Sequence, residues 1–173
     1  MTSESPGWYY AESDPLGTKR YWDGFEWSKE VMGGNIIWPR FLAKLIDSFI
    51  VGVALVIVAA GIFDTTKITY TILLVSIFLS ALYEIGFVTL KGATPGKILL
   101  GFKIVQISDG KSPPLGSTAS SRFVPNVVSL VPLIGWFLNF AIVGISLYWL
   151  TVDPDRQSIF DRAGKTYVVR AVG

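Results

Sequence analysis

The sequence contains no cysteine and no histidine. Without cysteine it cannot form a disulfide framework or a thiolate metal site. Without histidine it lacks imidazole metal ligands and the side chain that most often carries protons near neutral pH. A Ser-His-Asp triad and a histidine-based metalloprotease site are therefore excluded. No other nucleophile–base pair is visible, so we expect no enzymatic activity, no cofactor and no metal centre, and carboxylates remain as the titrating groups.

Charge is also scarce, because 16% of the 173 residues are charged and 51% are apolar. Three apolar stretches reach the roughly 20 residues that a helix needs to cross a bilayer, and they cover residues 41–62, 68–90 and 123–150. Composition and length together predict a mainly helical, multi-pass membrane bundle. The first 35 residues contain no apolar segment of the kind found in signal peptides, so the first span would also act as the insertion signal.

Residues 1–35 differ from the rest because they are polar and rich in aromatic side chains. Asp23-Gly24, between two runs of strand-forming aromatics, is a strong signal for a two-residue hairpin. A further strand near residues 8–11 would complete a small β-meander. We therefore expect a Trp/Tyr-rich β mini-domain with its linker at residues 1–35 and a transmembrane domain at residues 36–173. The aromatic side chains of the mini-domain either form its core or an interfacial anchor, or they bind a peptide or polymer. The candidates for this binding are Trp8, Tyr21, Trp22 and Trp27.

The loop at residues 91–122 carries five basic side chains against one acidic side chain. By the positive-inside rule this loop faces the cytoplasm. Residues 63–67 leave room only for a tight turn, so the first two spans would form an antiparallel hairpin. The N-terminal mini-domain would then also be cytoplasmic.

The third apolar stretch, at residues 123–150, is long for one span and short for two. Pro132 and Gly135 predict a kink or bend near its middle. One interpretation is a membrane-crossing helix, and another is a bent hairpin that enters and leaves on the same side. We favour one crossing helix after an interfacial segment, which would place the C-terminal residues outside.

Three charged side chains lie at the start of the first span. Arg40, Lys44 and Asp47 are separated by four and three residues, so a helix places them on one stripe. Arg40 and Lys44 can extend towards the lipid headgroups, whereas Asp47 lies about 10 Å deeper than Arg40 at 1.5 Å per residue. A carboxylate in a bilayer segment costs a few kcal/mol, so it usually has a partner and a purpose.

The second span carries a single acid, Glu84, seven residues in from Lys91. Asp47 likewise lies seven residues in from Arg40. In an antiparallel hairpin these equal offsets place both carboxylates at about the same depth. Two ionised carboxylates repel each other in a low-dielectric site, so such a pair would hold a proton or a small cation. The alternative is that each acid pairs with a nearby cation and only stabilises the fold.

Three segments of the chain resemble the RDD family, namely residues 39–47, 92–105 and 158–169. This family of bacterial multi-pass membrane proteins is named for one arginine and two aspartates, and the matching positions are Arg40, Asp47 and Asp161. The resemblance covers about residues 37–170. It implies a bacterial cell-membrane protein with a transport role, which includes sodium/proton antiport for some members. The family usually has histidine before its last aspartate, whereas this chain has Phe160.

We therefore expect binding or transport of a small cation or proton within the lipid bilayer, with Asp47 and Glu84 as ligands. Arg40 and Asp161 would form a structural or gating pair near Lys44, provided that the third stretch enters and leaves on one side. Three spans are few for a transporter, so this hypothesis implies a homo-oligomer. The rival hypothesis is a non-transporting membrane adaptor that recruits a protein partner through the aromatic mini-domain, which resembles a Trp-rich bacterial module. No feature indicates nucleic-acid binding.

Overall fold

Two long helices dominate the computed structural model, which describes residues 5–62, 68–131 and 134–171. Helix α1 is Ile37–Ile62 and helix α2 is Ile68–Lys91. Within them, Ile37–Ala60 and Thr71–Lys91 are long and apolar enough to cross a membrane. Few residues of either segment are buried inside the molecule, as expected for apolar helices surrounded by lipid. The tight turn predicted at residues 63–67 lies outside the described residues.

The third apolar stretch is bent. Helix α4, Gly116–Phe123, leads into it, and the stretch itself forms a 3₁₀ helix at Val124–Leu130 and helix α5 at Gly135–Val152. Pro132, which was expected to contribute to the bend, lies outside the described residues. At Gly135 a β-carbon would lie 2.7 Å from the Val128 carbonyl oxygen and 2.8 Å from that of Ser129. Glycine at this position therefore lets the 3₁₀ helix pack closely against the start of α5.

Both ends of this bent stretch lie at the same end of the molecule. Arg122, on α4, donates a hydrogen bond to Asp161, which follows α5 in the chain. Arg156, just after α5, donates to the Leu150 carbonyl at 2.7 Å. The Arg156 carbonyl in turn accepts from Arg40, near the start of α1, at 2.9 Å. The single crossing that we favoured, with the C-terminal residues on the far side, does not agree with these contacts, and a three-span bundle is not confirmed.

A five-stranded antiparallel sheet lies at this end of the molecule. Its strands β1 to β5 are Gly7–Tyr9, Thr18–Trp22, Trp27–Gly33, Phe102–Gln106 and Thr166–Ala171. Their order in the sheet is β1-β2-β3-β5-β4. A mainly helical fold with an N-terminal antiparallel sheet is thus confirmed. The sheet nevertheless crosses the boundary expected at residue 35, because β4 and β5 come from later parts of the chain.

The predicted hairpin joins β2 and β3, but its loop covers the four residues 23–26, so the two-residue turn expected at Asp23-Gly24 is wrong in length. The Asp23 carboxylate accepts hydrogen bonds from the backbone N–H groups of Phe25 and Glu26, both at 2.7 Å. Gly24 has a φ of 103°, a conformation that favours glycine because it has no β-carbon. The local sequence therefore specifies this turn, and the turn sets the register of β2 against β3.

The sheet and the long helices share one apolar core. Its buried side chains come from the residue before α1, the end of α2, and from α4, β4 and β5, and they are Ile36, Val88, Phe102, Ile104, Ala119 and Val168. Two short helices complete the fold, α3 at Pro95–Leu99 and α6 at Ile159–Ala163. Both short helices contact the first turns of α1, through Gly96 and Asp161, where the predicted site residues Arg40, Lys44 and Asp47 lie.

Candidate functional site

Asp161 is the centre of a buried charge cluster that joins three helices. Its carboxylate accepts hydrogen bonds from the Ser158 backbone N–H at 2.9 Å and from the Ser158 hydroxyl at 2.7 Å, as part of the capping box that starts α6. Arg40 on α1 and Arg122 on α4 bind the same carboxylate, and the Arg122 Nη1 lies at 2.5 Å. We call Asp161, Arg40, Arg122 and Ser158 the Asp161 cluster.

The electrostatics of the Asp161 cluster favour an ionised carboxylate. Burial raises the pKa of Asp161, but Arg40, Arg122 and the Ser158 N–H outweigh burial and together lower this pKa well below its ordinary value. The expected pair of Arg40 and Asp161 is therefore present as a charged pair. This pair was expected only if the third apolar stretch enters and leaves on one side, and residues 123–150 do start and end at the same end of the molecule.

Arg122 is the member of the cluster that was not predicted from the sequence. Its place in a basic loop indicated only on which side of the membrane the loop lies. Its side chain is 2% exposed, and it also donates to the Thr166 hydroxyl. Ala119, Arg122 and Phe123 are the buried residues of α4, and this helical spacing was the one local signal of a buried face. Gly164 lies against Arg122, and a β-carbon there would collide with the arginine side chain. Glycine therefore makes room for the arginine.

Asp47 holds the loop at residues 92–97 against α1. Its carboxylate accepts hydrogen bonds from the Tyr83 hydroxyl at 2.8 Å, the Thr94 hydroxyl at 2.6 Å and the Gly96 backbone N–H at 2.8 Å. A β-carbon at Gly96 would collide with the Ala43 carbonyl oxygen, so glycine permits this close approach. No cation in the described part of the chain forms an ion pair with Asp47. Its oxygens are therefore occupied mainly by neutral donors of the protein.

Glu84 and Lys44 face each other between α2 and α1. The Lys44 Nζ lies 3.9 Å from a Glu84 carboxylate oxygen, which is longer than a hydrogen bond. The Glu84 side chain is largely buried, yet it accepts no hydrogen bond from residues 5–62, 68–131 or 134–171. Glu84 therefore retains acceptor capacity that Asp47 has lost.

Lys97, on α3, completes this group of charges. Its Nζ donates to the Thr94 hydroxyl at 3.2 Å. Burial lowers the pKa of Lys97 to about 8, although the negative charges of Glu84 and Asp47 act in the opposite direction. In sequence terms Lys97 is only the basic end of a turn, because no local pattern shows that this turn folds back onto α1. We call Glu84, Lys44 and Lys97 the Glu84 site.

A polar cavity of about 290 Å³ lies beside the Glu84 site, between α1, α2, the 3₁₀ helix and α5. Both predicted carboxylates, Asp47 and Glu84, are on its wall. Lys44 and Lys97 line it as well. Its other polar groups are hydroxyls and amides, from Ser48, Ser76, Ser80, Tyr83, Thr94, Asn126, Ser129 and Asn139. The amide nitrogen of Asn126 has no hydrogen-bond partner among the residues that the structure describes. A polar cavity of this size has room for several water-sized groups, so the apolar helices enclose a hydrophilic site.

A model of the RDD family matches residues 36–165. The chain belongs to the RDD family. The matched range contains Arg40, Asp47 and Asp161, the positions at which the resemblance places the arginine and the aspartates of the family name. It excludes the three N-terminal strands and β5. Neither the curated proteins nor the solved structures contain a match to the chain. Membership of the family and the two apolar helices together indicate that this RDD protein is a membrane protein.

Arg40, Asp47 and Asp161 each form hydrogen bonds or ion pairs between separate segments of this RDD protein. Arg40 and Asp161 connect α1 to α6, and Asp47 connects α1 to the loop before α3. The structure brings Lys44 to Glu84 rather than to Asp47. Among the predicted charged residues, Glu84 therefore keeps the most acceptor capacity for a ligand.

The predicted aromatic residues of the N-terminal strands contact one another and the rest of the sheet. The Trp8 ring packs edge to face against Tyr21 and Tyr167, with ring centres 5.3 Å and 5.2 Å apart. The ring centres of Trp22 and Trp27 are 5.2 Å apart. Because Tyr167 belongs to β5, Trp8 fastens the N-terminal strands of this RDD protein to its C-terminal strand.

Proposed function

We propose that this RDD protein binds a proton or a small monovalent cation in the polar cavity, as a step in transport across the membrane. One observation supports this most directly: Glu84 is a largely buried carboxylate that accepts no hydrogen bond within the described residues, and it lies in a lining of hydroxyl and amide groups that also includes Lys44 and Lys97. Intramembrane acids of this kind mark ion and proton pathways. Glu84 rather than Asp47 would be the titrating ligand, because the Asp47 oxygens already accept three hydrogen bonds.

The lining of the cavity favours a singly charged ion. No group of three acidic or other metal-ligating side chains converges within residues 5–62, 68–131 and 134–171. Calcium sites in proteins use several carboxylate and carbonyl oxygens together. One free carboxylate with hydroxyl and amide oxygens, beside the ammonium groups of Lys44 and Lys97, leaves too little negative charge for a divalent ion and suits a proton or an alkali-metal ion better.

Lys97 gives the site a means of exchanging a proton for a cation. Its pKa is lowered to about 8, so below that pH its ammonium group competes with a cation for Glu84. Above that pH a neutral Lys97 leaves Glu84 opposed only by Lys44, and a cation enters more easily. Cation affinity should therefore increase as the pH rises through about 8, and isothermal titration of the purified protein with NaCl or KCl at several pH values measures it.

The proposal includes a sidedness and an oligomer. We place residues 91–122 on the cytoplasmic side because they carry five basic residues against one acidic residue, and the sheet then lies on that side too. Two membrane-length helices and one bent stretch are few for a transporter. A homo-oligomer would use the exposed apolar faces of α1 and α2.

The test is cation-driven proton flux in proteoliposomes that contain the purified protein. A Na⁺ or K⁺ gradient should change the internal pH that a trapped dye reports. Glu84→Gln should abolish most of this change, because the amide carries no charge. Glu30→Gln is the matched control, since it makes the same change in the sheet, where Glu30 pairs with Lys103 at 2.7 Å. The proposal fails if the wild-type protein shows no flux, or if Glu84→Gln retains full flux.

The second candidate function is that of a membrane adaptor. Phe25 is 92% exposed at the tip of the hairpin, and Leu16 is fully exposed before β2, so the sheet presents apolar side chains on its loops. If this candidate is right, wild-type proteoliposomes will show no flux. A photo-crosslinker at position 25 in native membranes will then join the protein to a different polypeptide.

A further inference from the structure

A second, smaller cavity of about 90 Å³ lies between α1, α5 and the start of α6. It shares Lys44, Glu84 and Lys97 with the polar cavity. Its other polar lining comes from the Asp161 cluster and from Ser146 on α5. The two cavities are therefore neighbours on opposite sides of the Glu84 site, and the smaller one adjoins the arginines.

The smaller cavity has an excess of positive charge. Glu84 is the single acid of its lining, against four cationic side chains, which are Arg40, Lys44, Lys97 and Arg122. When Asp161 is included, because it binds both arginines, four cations still face two anions. Uncompensated charge in a buried site is costly. An anion in this cavity would therefore be stabilised by the charges around it.

Two buried polar atoms at this cavity have no partner. The Arg122 Nε and the Ser146 hydroxyl form no hydrogen bond within the described part of the chain. Both residues line the cavity, and they are only 2% and 6% exposed. Buried polar groups are nearly always paired in folded proteins. An N–H group and a hydroxyl that lack acceptors, beside an excess of cations, match the oxygens of an oxyanion.

The rest of the lining is apolar, from Phe41, Val143, Leu147, Leu150 and Phe160. The cavity lies at the depth of the first two turns of α1, which carry Arg40 and Lys44. Trp38, at the start of α1, is 75% exposed, and tryptophan concentrates at the membrane–water interface. Cations on one wall and apolar side chains on the other therefore coincide with the level of the lipid headgroups.

We propose that this smaller cavity binds a phosphate group, as carried by an anionic phospholipid headgroup or by free phosphate. Arginine and lysine recognise phosphate through charge-assisted hydrogen bonds. The Arg122 Nε–H and the Ser146 hydroxyl would donate to phosphate oxygens, while Lys44 and Lys97 supply charge. The acyl chains of a phospholipid would contact the apolar wall, whereas free phosphate would leave that wall unused. This site shares Lys44, Glu84 and Lys97 with the proposed cation site, but phosphate binding can be measured without any ion flux.

The experiment is a titration of the purified full chain in detergent with two probes, inorganic phosphate and dihexanoyl phosphatidylglycerol. Dihexanoyl phosphatidylcholine serves as the comparison lipid, because its choline group cancels the phosphate charge. The rise in melting temperature with probe concentration gives the apparent affinity, and native mass spectrometry counts the bound molecules. We expect saturable binding of one molecule per chain for at least one of the two probes, and weaker binding of the phosphatidylcholine.

Matched variants locate the binding. Lys44→Gln should weaken it by about tenfold, since a hydrogen bond to a charged group is lost. Ser146→Leu should weaken it further by filling the cavity, and Ser146→Ala provides a milder change if the leucine variant does not fold. Lys91→Gln removes the same charge at the exposed end of α2, away from the cavity lining, and should bind as the wild-type protein does.

Binding of phosphatidylglycerol alone assigns the site to a lipid, and binding of inorganic phosphate assigns it to the phosphate group itself. The proposal is overturned if neither probe binds. It is also overturned if Lys44→Gln and the Ser146 variants bind as tightly as Lys91→Gln. Because the titration measures no flux, its outcome is separate from that of the transport experiment.

Discussion

Asp161 and Glu84 are both buried acids among cations, but the protein uses their oxygens very differently. Asp161 binds two arginines and both donors of Ser158, whereas the one ion pair of Glu84 within the described residues is with Lys44, at 3.9 Å. A carboxylate whose acceptor positions are filled by the protein stabilises the fold and has little capacity for a ligand. A carboxylate that faces a cavity keeps that capacity. In this RDD protein, the number of hydrogen-bond donors around a carboxylate, rather than its depth in the membrane, distinguishes the structural acid from the proposed ligand-binding acid.

Asp47 belongs with Asp161 by this criterion. It lines the same cavity as Glu84, but three donors from α2 and the loop at residues 92–97 occupy its oxygens. The residues that name the family therefore maintain the architecture around the Glu84 site. Substitutions can test this division, and they are ordered below by their expected effect on the free energy of unfolding.

Asp161→Asn should cause the largest loss of stability. It keeps the shape of the side chain but leaves Arg40 and Arg122 as buried charges without a counter-ion, which costs about 3–5 kcal/mol. Chemical unfolding in detergent micelles measures the loss. Asp155→Asn is the control, because Asp155 pairs with Lys19 and accepts from the Tyr167 hydroxyl at a partly exposed site, and its loss should cost no more than about 2 kcal/mol. Equal losses in the two variants would contradict the role given to the Asp161 cluster.

Asp47→Asn should cost about 1.5–3 kcal/mol, because an amide replaces one acceptor oxygen with a donor and leaves at least one buried donor unpaired. The loop at residues 92–97 should loosen as a result, so hydrogen exchange at the Gly96 N–H should become faster. Asp109→Asn makes the same change at an exposed turn, where Asp109 accepts from the Lys111 N–H at 3.0 Å. Unchanged exchange at Gly96 would show that Asp47 does not hold this loop.

Lys97→Met should remove part of the pH dependence of stability. The folded-state pKa of Lys97 is about 8 against an ordinary value of 10.5, so between these pH values the folded chain has released a proton that the unfolded chain retains. The contribution of Lys97 to stability therefore rises as the pH increases through this window and falls again as the pH returns to about 8. Unfolding curves at several pH values measure it. Lys29→Met, at an exposed position of β3, should keep the wild-type dependence, and parallel curves for all three proteins would refute the shift.

Glu84→Gln should have the smallest effect on stability, below about 1 kcal/mol, because its ion pair with the half-exposed Lys44 is long and screened. The same preparation should nevertheless lose flux. Loss of flux without loss of stability in Glu84→Gln would distinguish Glu84 most clearly from Asp161, whose substitution should destabilise the fold. A loss of stability as large as that of Asp161→Asn would place Glu84 among the structural acids.

The sequence specified those parts of the site that depend on local spacing. The intervals between Arg40, Lys44 and Asp47 define one helix stripe, and the hairpin at Asp23-Gly24 follows from turn chemistry. The contact of Arg40 with Asp161 depended on the family resemblance, because residues far apart in the chain leave no local pattern. The resemblance itself is confirmed by the match over residues 36–165.

The parts that could not be predicted depend on how a loop folds in three dimensions. The loop at residues 91–122 reads as a basic, cytoplasmic connection, yet it supplies Thr94 and Gly96 to Asp47 and Arg122 to Asp161. Hydropathy cannot reveal such contacts, because the side chains are polar and become buried only after the chain folds. The bend in residues 123–150 was one of two open interpretations for the same reason.

Strand β5 lies between β3 and β4 although it follows both of them in the chain. During synthesis the edges of β3 and β4 that pair with β5 therefore stay unpaired until residues 166–171 have left the ribosome. By then α1, α2 and the bent stretch have all been made, so the sheet closes only after these elements have been synthesised. Open strand edges pair with strands of other chains. A chain that stops before residue 166 would thus present two such edges rather than a smaller finished sheet.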